Sequence, residues 1–480
     1  MKKIIFLLLT LLAACGASAA DFKAGGIYYN INEDGKSVSV TSSDDRNELY
    51  SGNINIPESV KFNSKKYAVT AIGSYAFDNC TALTSVKLPS SVTRIDDGAF
   101  RGCSALSSIN IPTAVEHILS SAFQDCSSLT SFVIPPAVTT ITPYVFSGCS
   151  SLASVSIHDK VDHICEYAFS GCSSLKALII PEATTYFGTR AFQNCTSLTT
   201  VNIPSDSFWI EEYIFAGSGL TDFKIETPWI SRFMLADCPE LKSLIIPATL
   251  SSIGNGGISK CPKLKKVTIE DSPEYLKMKA AERDPEGHPE ESNVPVFSTC
   301  GIEELYIGRQ IGIFDNLTFG ESLRSVSFGN YVKDIGSWFH DCYNLAYLSI
   351  PESIDKIDAY TFLRCTDLST INMHRAEPPE LFQYSFSSQT YQRATLHIPK
   401  GSKQAYSEAP FWKDFLNVAD DLEAAGIDGV TADTDNGSFD VYDLQGQLLL
   451  RSAGADALSS LAPGIYIKAA GSRTEKIIIR

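Results

Sequence analysis

A period of 23 residues restricts what this chain can fold into more than any other feature. Cys80, Cys103, Cys126, Cys149, Cys172 and Cys195 are each 23 residues apart, and Phe77, Phe100, Phe123, Phe146, Phe169, Phe192 and Phe215 keep the same spacing. Pro89, Pro112 and Pro135 follow it; His158 takes the next slot, before Pro181 and Pro204. Further along the spacing loosens: Leu235, Ile258, Phe297, Phe319, Phe339, Phe362 and Phe386 fill the Phe slot at intervals of 20 to 39 residues. Cys238, Cys261, Cys300, Cys342 and Cys365 accompany them, and about fourteen coils fit between Val69 and Val418. A unit this short cannot bury its own apolar edge, so neighbouring units must stack.

One unit can be read residue by residue. In Leu83–Thr84–Ser85–Val86–Lys87–Leu88–Pro89, Val86 and Leu88 alternate with Lys87, the pattern of a short half-buried strand. Pro89 has no N–H for a ladder and ends it. Val92 and Ile95 turn inward on the return side, Ala99–Phe100 forms a tight turn, and Cys103 closes the corner as a small buried hydrophobe. Separate hairpins would need Asn-Gly or Asp-Gly turns at the joins, and no such turn recurs with the period.

The pattern Leu-x-x-Val-x-Leu-Pro-x-x-Val-x-x-Ile-x-x-x-Ala-Phe-x-x-Cys resembles the BspA-type leucine-rich repeat. Ala394–Val418 looks like the closing coil of such proteins, and the head with Gly26–Ile27–Tyr28–Tyr29–Asn30–Ile31 looks like their N-terminal cap. The resemblance implies a mainly β repeat solenoid, a right-handed superhelix of about fourteen coils, carried on a bacterial surface and used in adhesion. It supplies no shared catalytic residues. Residues 438–480, with Phe439–Gly446 and Leu461–Tyr466, look like a Bacteroidetes C-terminal sorting domain of the type IX secretion class and are expected to form a small β-sandwich-like module. The expected division is therefore a cap over 20–66, a solenoid over 67–419, a polar linker over 420–437 and the module beyond. An interruption around 270–296 contains EYLKMKAAERDPEGHPEES, which reads as a short amphipathic helix followed by an acidic surface loop.

The N-terminus reads as an address. Met1–Lys2–Lys3 precedes an apolar run from Ile4 to Ala14, and Ala17–Ser18–Ala19 offers a small-residue cleavage pattern. Cleavage after Ala19 is the preferred reading. The alternative is a lipoprotein signal, Leu12–Ala13–Ala14–Cys15, with a lipid anchor on Cys15. Neither this run nor any other is long enough to span a bilayer as a helix. With 39 Lys and Arg against 55 Asp and Glu, the net charge of −16 argues against a nucleic-acid partner.

Chemistry-bearing motifs are sparse. Thirteen cysteines in an exported chain suggest disulfides, but the period argues otherwise. Equivalent residues on stacked coils have Cβ atoms about 4.8 Å apart, against about 3.8 Å in a disulfide. Buried free thiols are expected, with Cys165 outside the periodic slot. His158, His163 and Cys165 do not match zinc-ligand spacing. Asn30, Asn32, Asp34 and Gly35 imitate the opening of a calcium loop, but Thr41 stands where the closing Glu belongs, so a hairpin turn is expected. No nucleophile elbow, P-loop or dinucleotide fingerprint occurs. The expectation is therefore no catalytic residue, no metal and no cofactor.

What remains is a face. Ser85, Lys87, Ser108, Asn110, Ser131, Val133, Ser154, Ser156, Thr200 and Asn202 should line up along the strand side as a broad, weakly charged strip. Its partner is expected to be a macromolecule, host-derived partners included. A protein partner is the first reading, for adhesion; a glycan captured for nutrient uptake is the second, and it is weakened because the strip has few aromatic residues.

Overall fold

The computed structural model describes residues 20–43, 49–204, 207, 209–278, 294–313, 319–339 and 341–422, with four strands between 439 and 479. The N-terminal segment 1–19 with Cys15, and most of the expected linker, lie outside the described residues. Contacts divide the chain into two units, Met1–Ala425 and Gly426–Arg480.

The first unit is a β-solenoid of about fourteen turns. Most turns contribute a strand to each of two sides of the solenoid, where neighbouring strands pair in parallel. In the first ladder, Leu83–Lys87 pairs with Ser108–Asn110, Ser131–Val133 with Ser154–Ser156, and Ala177–Leu178 with Thr200–Val201. From Ser243–Ile246 to Asn417–Leu422 it runs as an unbroken sheet of eight strands. The second ladder stacks Arg94–Ile95 on His117–Ile118 and, in a separate run, Thr140–Ile141 on His163–Ile164, Tyr186–Phe187 and Trp209–Ile210. At the remaining corner the backbone is also bonded coil to coil. Phe77 N–H donates to Ala99, Phe100 to Ala122 and Phe146 to Ala168, at 2.8–2.9 Å. Polar backbone at each of these places is thus satisfied by the neighbouring coil rather than by its own.

The Phe slot forms the central column. Phe77, Phe100, Phe123, Phe146, Phe169, Phe192 and Phe215 stack with centroids 5.0–5.9 Å apart and planes within 18°. Such pairs add about 0.5–1.5 kcal/mol to the burial of their area. Beside them, thiols of the regular coils donate to the carbonyl of the Phe one coil earlier: Cys103 to Phe77, Cys126 to Phe100 and Cys149 to Phe123, all at 3.1 Å. All twelve described cysteines are unpaired. The slot selects Cys because its thiol is small enough for the corner and still gives the carbonyl a partner. Burial raises the thiol pKa of Cys149 and Cys195 to about 12.

Two rows of left-handed backbone turn the corner. One is Asn79, Gly102, Asp125, Gly148, Gly171, Asn194 and Gly217, with φ between +55° and +74°. Asn, Asp and Gly tolerate this region best. Their order along the row has a packing cause. A Cβ on Gly102, Gly148 or Gly217 would meet the side-chain oxygen of Asn79, Asp125 or Asn194 at 2.4, 2.1 and 2.3 Å. Each Asx side chain occupies the space that the glycine of the next coil leaves empty.

The ends are closed by aromatic lids. At the start Tyr50 lies 4.7 Å from Phe77 and donates its hydroxyl to Thr41. At the finish Trp412 and Phe415 meet Phe386 edge-on, and Trp412 Nε1 donates to Pro379. Helices Ser388–Arg393 and Lys403–Glu408 carry this closing segment; the Ser387 hydroxyl caps the first by accepting from Thr390 N–H.

Several expected boundaries move. Lys65–Ile72 pairs with Ser37–Thr41 of the cap and with Arg94–Ile95 of the second ladder, so cap and solenoid share a sheet and do not part at 66. The last ladder strand runs to Leu422, past the expected linker start at 420. Leu276–Met278, read as helix, is a strand between Ser252–Ile253 and Ile311–Ile313. Leu276 and Met278 are buried while Lys277 faces out; pairing on both sides overrides local helix propensity. Residues 279–293 of that segment lie outside the described residues. In the second unit Phe439–Tyr442, Leu448–Ala453, Gly464–Ala470 and Arg473–Ile479 form a four-stranded antiparallel sheet.

Phe146→Ala is expected to destabilise the solenoid by about 3–5 kcal/mol in urea unfolding, since it empties one level of the column. Gly171→Ala, with nothing closer than 3.7 Å to the added Cβ, should cost only the backbone term of about 1–2 kcal/mol. Gly148→Ala should cost more, and the excess should vanish in an Asp125→Ala background. For the thiols, the folded pKa of Cys149 (about 12) lies above the ordinary 9.0. As pH rises past 9 the unfolded chain loses protons first, so stability should fall between about pH 9 and 12. Iodoacetamide at pH 8 should leave the periodic thiols unmodified until denaturant is added.

Candidate functional site

The residues of the strip read from the sequence lie on the first ladder, where they are paired two coils at a time. Registers place Ser85 beside Ser108, Lys87 beside Asn110, Ser131 beside Ser154, Val133 beside Ser156, and Ala177 beside Thr200. The residues between them point inward or lie half-buried, as Val86 and Phe132 do. Lys87, Ser108, Asn110, Ser131, Val133, Ser154, Ser156 and Thr200 are exposed; Ser85 and Asn202 are half-buried.

Hydrogen bonding then divides the strip. Asn110 accepts from Leu88 N–H at 2.8 Å and donates to the Leu88 carbonyl at 3.1 Å. Asn202 does the same to Ile180, at 3.0 and 2.9 Å. Leu88 and Ile180 each precede a proline, where the ladder ends, and the amide replaces the missing strand. These two side chains are therefore structural. Ser85 donates to Asn53 at 2.7 Å. The hydroxyls of Ser108, Ser131, Ser154, Ser156 and Thr200 have no partner among the described residues. Between them stand large exposed aliphatics that continue the row: Val133 at 68%, Ile179 at 84% and Ile245 at 50% exposure.

The histidines settle into local roles. His158 takes the proline slot and holds the turn through Nε2, which lies 2.9 Å from the Pro135 carbonyl and 3.0 Å from that of Val138. His163 Nδ1 is 2.8 Å from Asp162. Among the described residues no group of three or more His, Cys, Asp and Glu is arranged to hold a metal ion. The Asp34 carboxylate accepts from Lys36 and Ser37 N–H, which lowers its pKa and closes the hairpin turn.

One feature escaped the sequence reading. A second left-handed row carries Tyr75, Tyr144, Tyr167, Arg190, Tyr213 and Phe233, at φ between +51° and +59°. Tyr144 stacks on Tyr167 at 4.6 Å, the Arg190 guanidinium sits between Tyr167 and Tyr213, and Tyr213 stacks on Phe233 at 4.7 Å. The signal was present, two residues before each Phe, but the slot also holds Gly98, Ser121 and Gly256 and so shows no single residue type. Where glycine stands, the ring below fills its place: a Cβ on Gly98 would lie 2.4 Å from the Tyr75 ring.

A sequence profile of the BspA type leucine-rich repeat region, in six copies, matches residues 48–176, 162–283 and 293–413. The chain belongs to this family. No curated protein matches it by sequence. Among solved structures, a leucine-rich repeat protein from Bacteroides ovatus ATCC 8483 is 23% identical, with a TM-score of 0.54 over 79% of this chain and 100% of that one. That likeness supports the fold. A leucine rich cell surface protein from Faecalibacterium prausnitzii A2-165 is 24% identical, with a TM-score of 0.42 over 77% of this chain and 97% of its own. The pneumococcal vaccine antigen PcpA is 17% identical, with a TM-score of 0.46 over 85% and 100%. Within the described part of this BspA-type chain, no helix is long and apolar enough to cross a membrane.

Asn110→Ala is expected to destabilise the protein by about 1–3 kcal/mol, because it strands both Leu88 backbone groups. Ser108→Ala, on the same strand, should stay within about 0.5 kcal/mol. Urea unfolding of the two variants makes the comparison.

Proposed function

We propose that this BspA-type chain is an exported, non-catalytic adhesion protein that binds a protein partner through its first ladder. The observation that carries this is the division of the strip. Its asparagines are occupied by backbone, whereas the hydroxyls of Ser108, Ser131, Ser154, Ser156 and Thr200 have no partner among the described residues and share the row with exposed Val133, Ile179 and Ile245. Exposed aliphatics among small hydrogen-bonding groups suit a protein surface, which supplies both apolar area and backbone acceptors. The free portion of the strip holds few charges although the chain carries −16, so binding should change little with salt. Export rests on the Met1–Ala19 pattern, with Cys15 lipidation as the alternative, and the C-terminal sheet serves as its sorting signal.

The test is a screen of the mature protein on arrays of extracellular-matrix proteins. Binding should be lost in Ser108→Arg with Ser131→Arg, while thermal unfolding is unchanged, and should survive deletion of residues 279–293. Binding that resists the arginine pair but disappears with the deletion refutes the strand-face reading. For export, N-terminal sequencing of the secreted protein should begin at Ala20. Labelled palmitate incorporation that is abolished by Cys15→Ala would establish the lipid anchor instead.

A further inference from the structure

We propose that the outward row of the second ladder, His163, Tyr186 and Trp209, together with the Glu211 carboxylate, binds a neutral polysaccharide. The three residues are Cα partners on consecutive strands, and the next residue on each, Ile164, Phe187 and Ile210, is buried. Alternation therefore turns all three rings outward. Tyr186 lies 5.5 Å from His163, half-buried and tilted on it. Trp209 is 66% exposed, and its indole has neither a ring partner nor a hydrogen-bond acceptor among the described residues. A tryptophan normally buries most of its large apolar area and pairs its N–H. Here both are left open.

The next outward position of these coils holds Cys165, Gly188 and Glu211. Gly188 N–H donates to Ile164 and Glu211 N–H to Phe187, so the row is held coil to coil. A Cβ on Gly188 would lie 2.3 Å from Glu166 N, so close backbone approach demands glycine there. Glu211 is half-buried and its carboxylate accepts no hydrogen bond from the described residues; burial raises its pKa. A carboxylate withdrawn from water without donors is costly, and added hydroxyl donors relieve that cost. Beyond Gly188, the Tyr167–Arg190–Tyr213 stack forms the far border.

These groups match one chemistry. A pyranose presents an apolar C–H face to an aromatic ring and donates hydroxyls from its rim to an acceptor. Charge selects among sugars. Asp162, Glu166, Glu211 and Glu212 crowd this region, with Asp162 paired to His163 and Glu212 to Arg232. The excess is negative, which repels sulfated or uronic chains and admits neutral ones. The row rises about 4.8 Å per coil, so an extended chain laid along it meets successive coils. On these coils the first ladder exposes Ile179 and no aromatic ring, so it offers no equivalent platform in this region.

Affinity electrophoresis of the full mature protein in gels containing laminarin, hydroxyethylcellulose or galactomannan tests this, with dextran sulfate as the anionic counterpart. At least one neutral polymer should retard the protein, and dextran sulfate should not. Trp209→Ala should weaken retardation at least tenfold, Glu211→Ala should weaken it, and Trp209→Phe should retain most of it. Thermal unfolding of Trp209→Ala should be unchanged, given its exposure. The neutral polymer should also blue-shift tryptophan emission in the wild type and not in Trp209→Phe. The first-ladder pair Ser108→Arg with Ser131→Arg should bind the polymer normally, so this result is independent of the adhesion reading. Retardation by none of the three neutral polymers, retardation that survives Trp209→Ala, or equal retardation by dextran sulfate overturns the proposal. So does loss of a protein partner in Trp209→Ala when no polymer binds, which would assign the row to a protein.

Discussion

A 23-residue coil has too little chain to enclose a side chain on all sides, so every inward group must be covered by its equivalent one coil away. The stacking distance is set by backbone hydrogen bonds in two ladders and at the Phe corner. Once that distance is fixed, each slot accepts only what packs well on a copy of itself. Phe does so by offset ring stacking, with centroids 5.0–5.9 Å apart along the regular column. Cys does so by donating a hydrogen bond from its thiol to the carbonyl of the coil before. The same spacing that makes these thiols useful inside keeps them from pairing as disulfides.

The requirement also explains where the repeat is broken. A column of stacked rings has two raw ends, and here Tyr50 and the Trp412–Phe415 pair cover them. The cap is not a separate body placed on the solenoid, since Lys65–Ile72 hydrogen-bonds in both directions. Around residue 280 the chain carries extra length, yet Leu276–Met278 still enters the second ladder. Ladder pairing on two sides is stronger than a short local tendency towards helix.

The outer surfaces differ because the inner slots do not constrain them equally. On the first ladder small hydroxyl residues alternate with a few exposed aliphatics, and two asparagines have been drawn into replacing backbone where proline ends the strand. The leftover hydroxyls and aliphatics form the face assigned to a protein partner. On the second ladder the middle coils hold His163, Tyr186 and Trp209 in register, beside the half-buried Glu211 carboxylate. A solenoid of this kind presents several independent surfaces because its core is a column and not a centre.

The 23-residue spacing of Cys80 through Cys195 and of Phe77 through Phe215 determined the solenoid, its inward residues and the stacked strip from Ser85 to Thr200, since periodicity reports what must be buried. It did not reveal that Asn110 and Asn202 are spent on backbone, because that depends on where the neighbouring coil's ladder stops. Nor did it reveal the Tyr144–Tyr167–Arg190–Tyr213 stack, whose slot tolerates any residue that can adopt a left-handed turn and so leaves no single-letter signature. The extent of the helix candidate at 276–278 was decided by pairing partners more than twenty residues away in each direction. Inward positions are chosen by a repeated local need and can be read from the chain. Outward positions acquire their meaning from which residues the stacking brings side by side, and that is a property of the assembled coils.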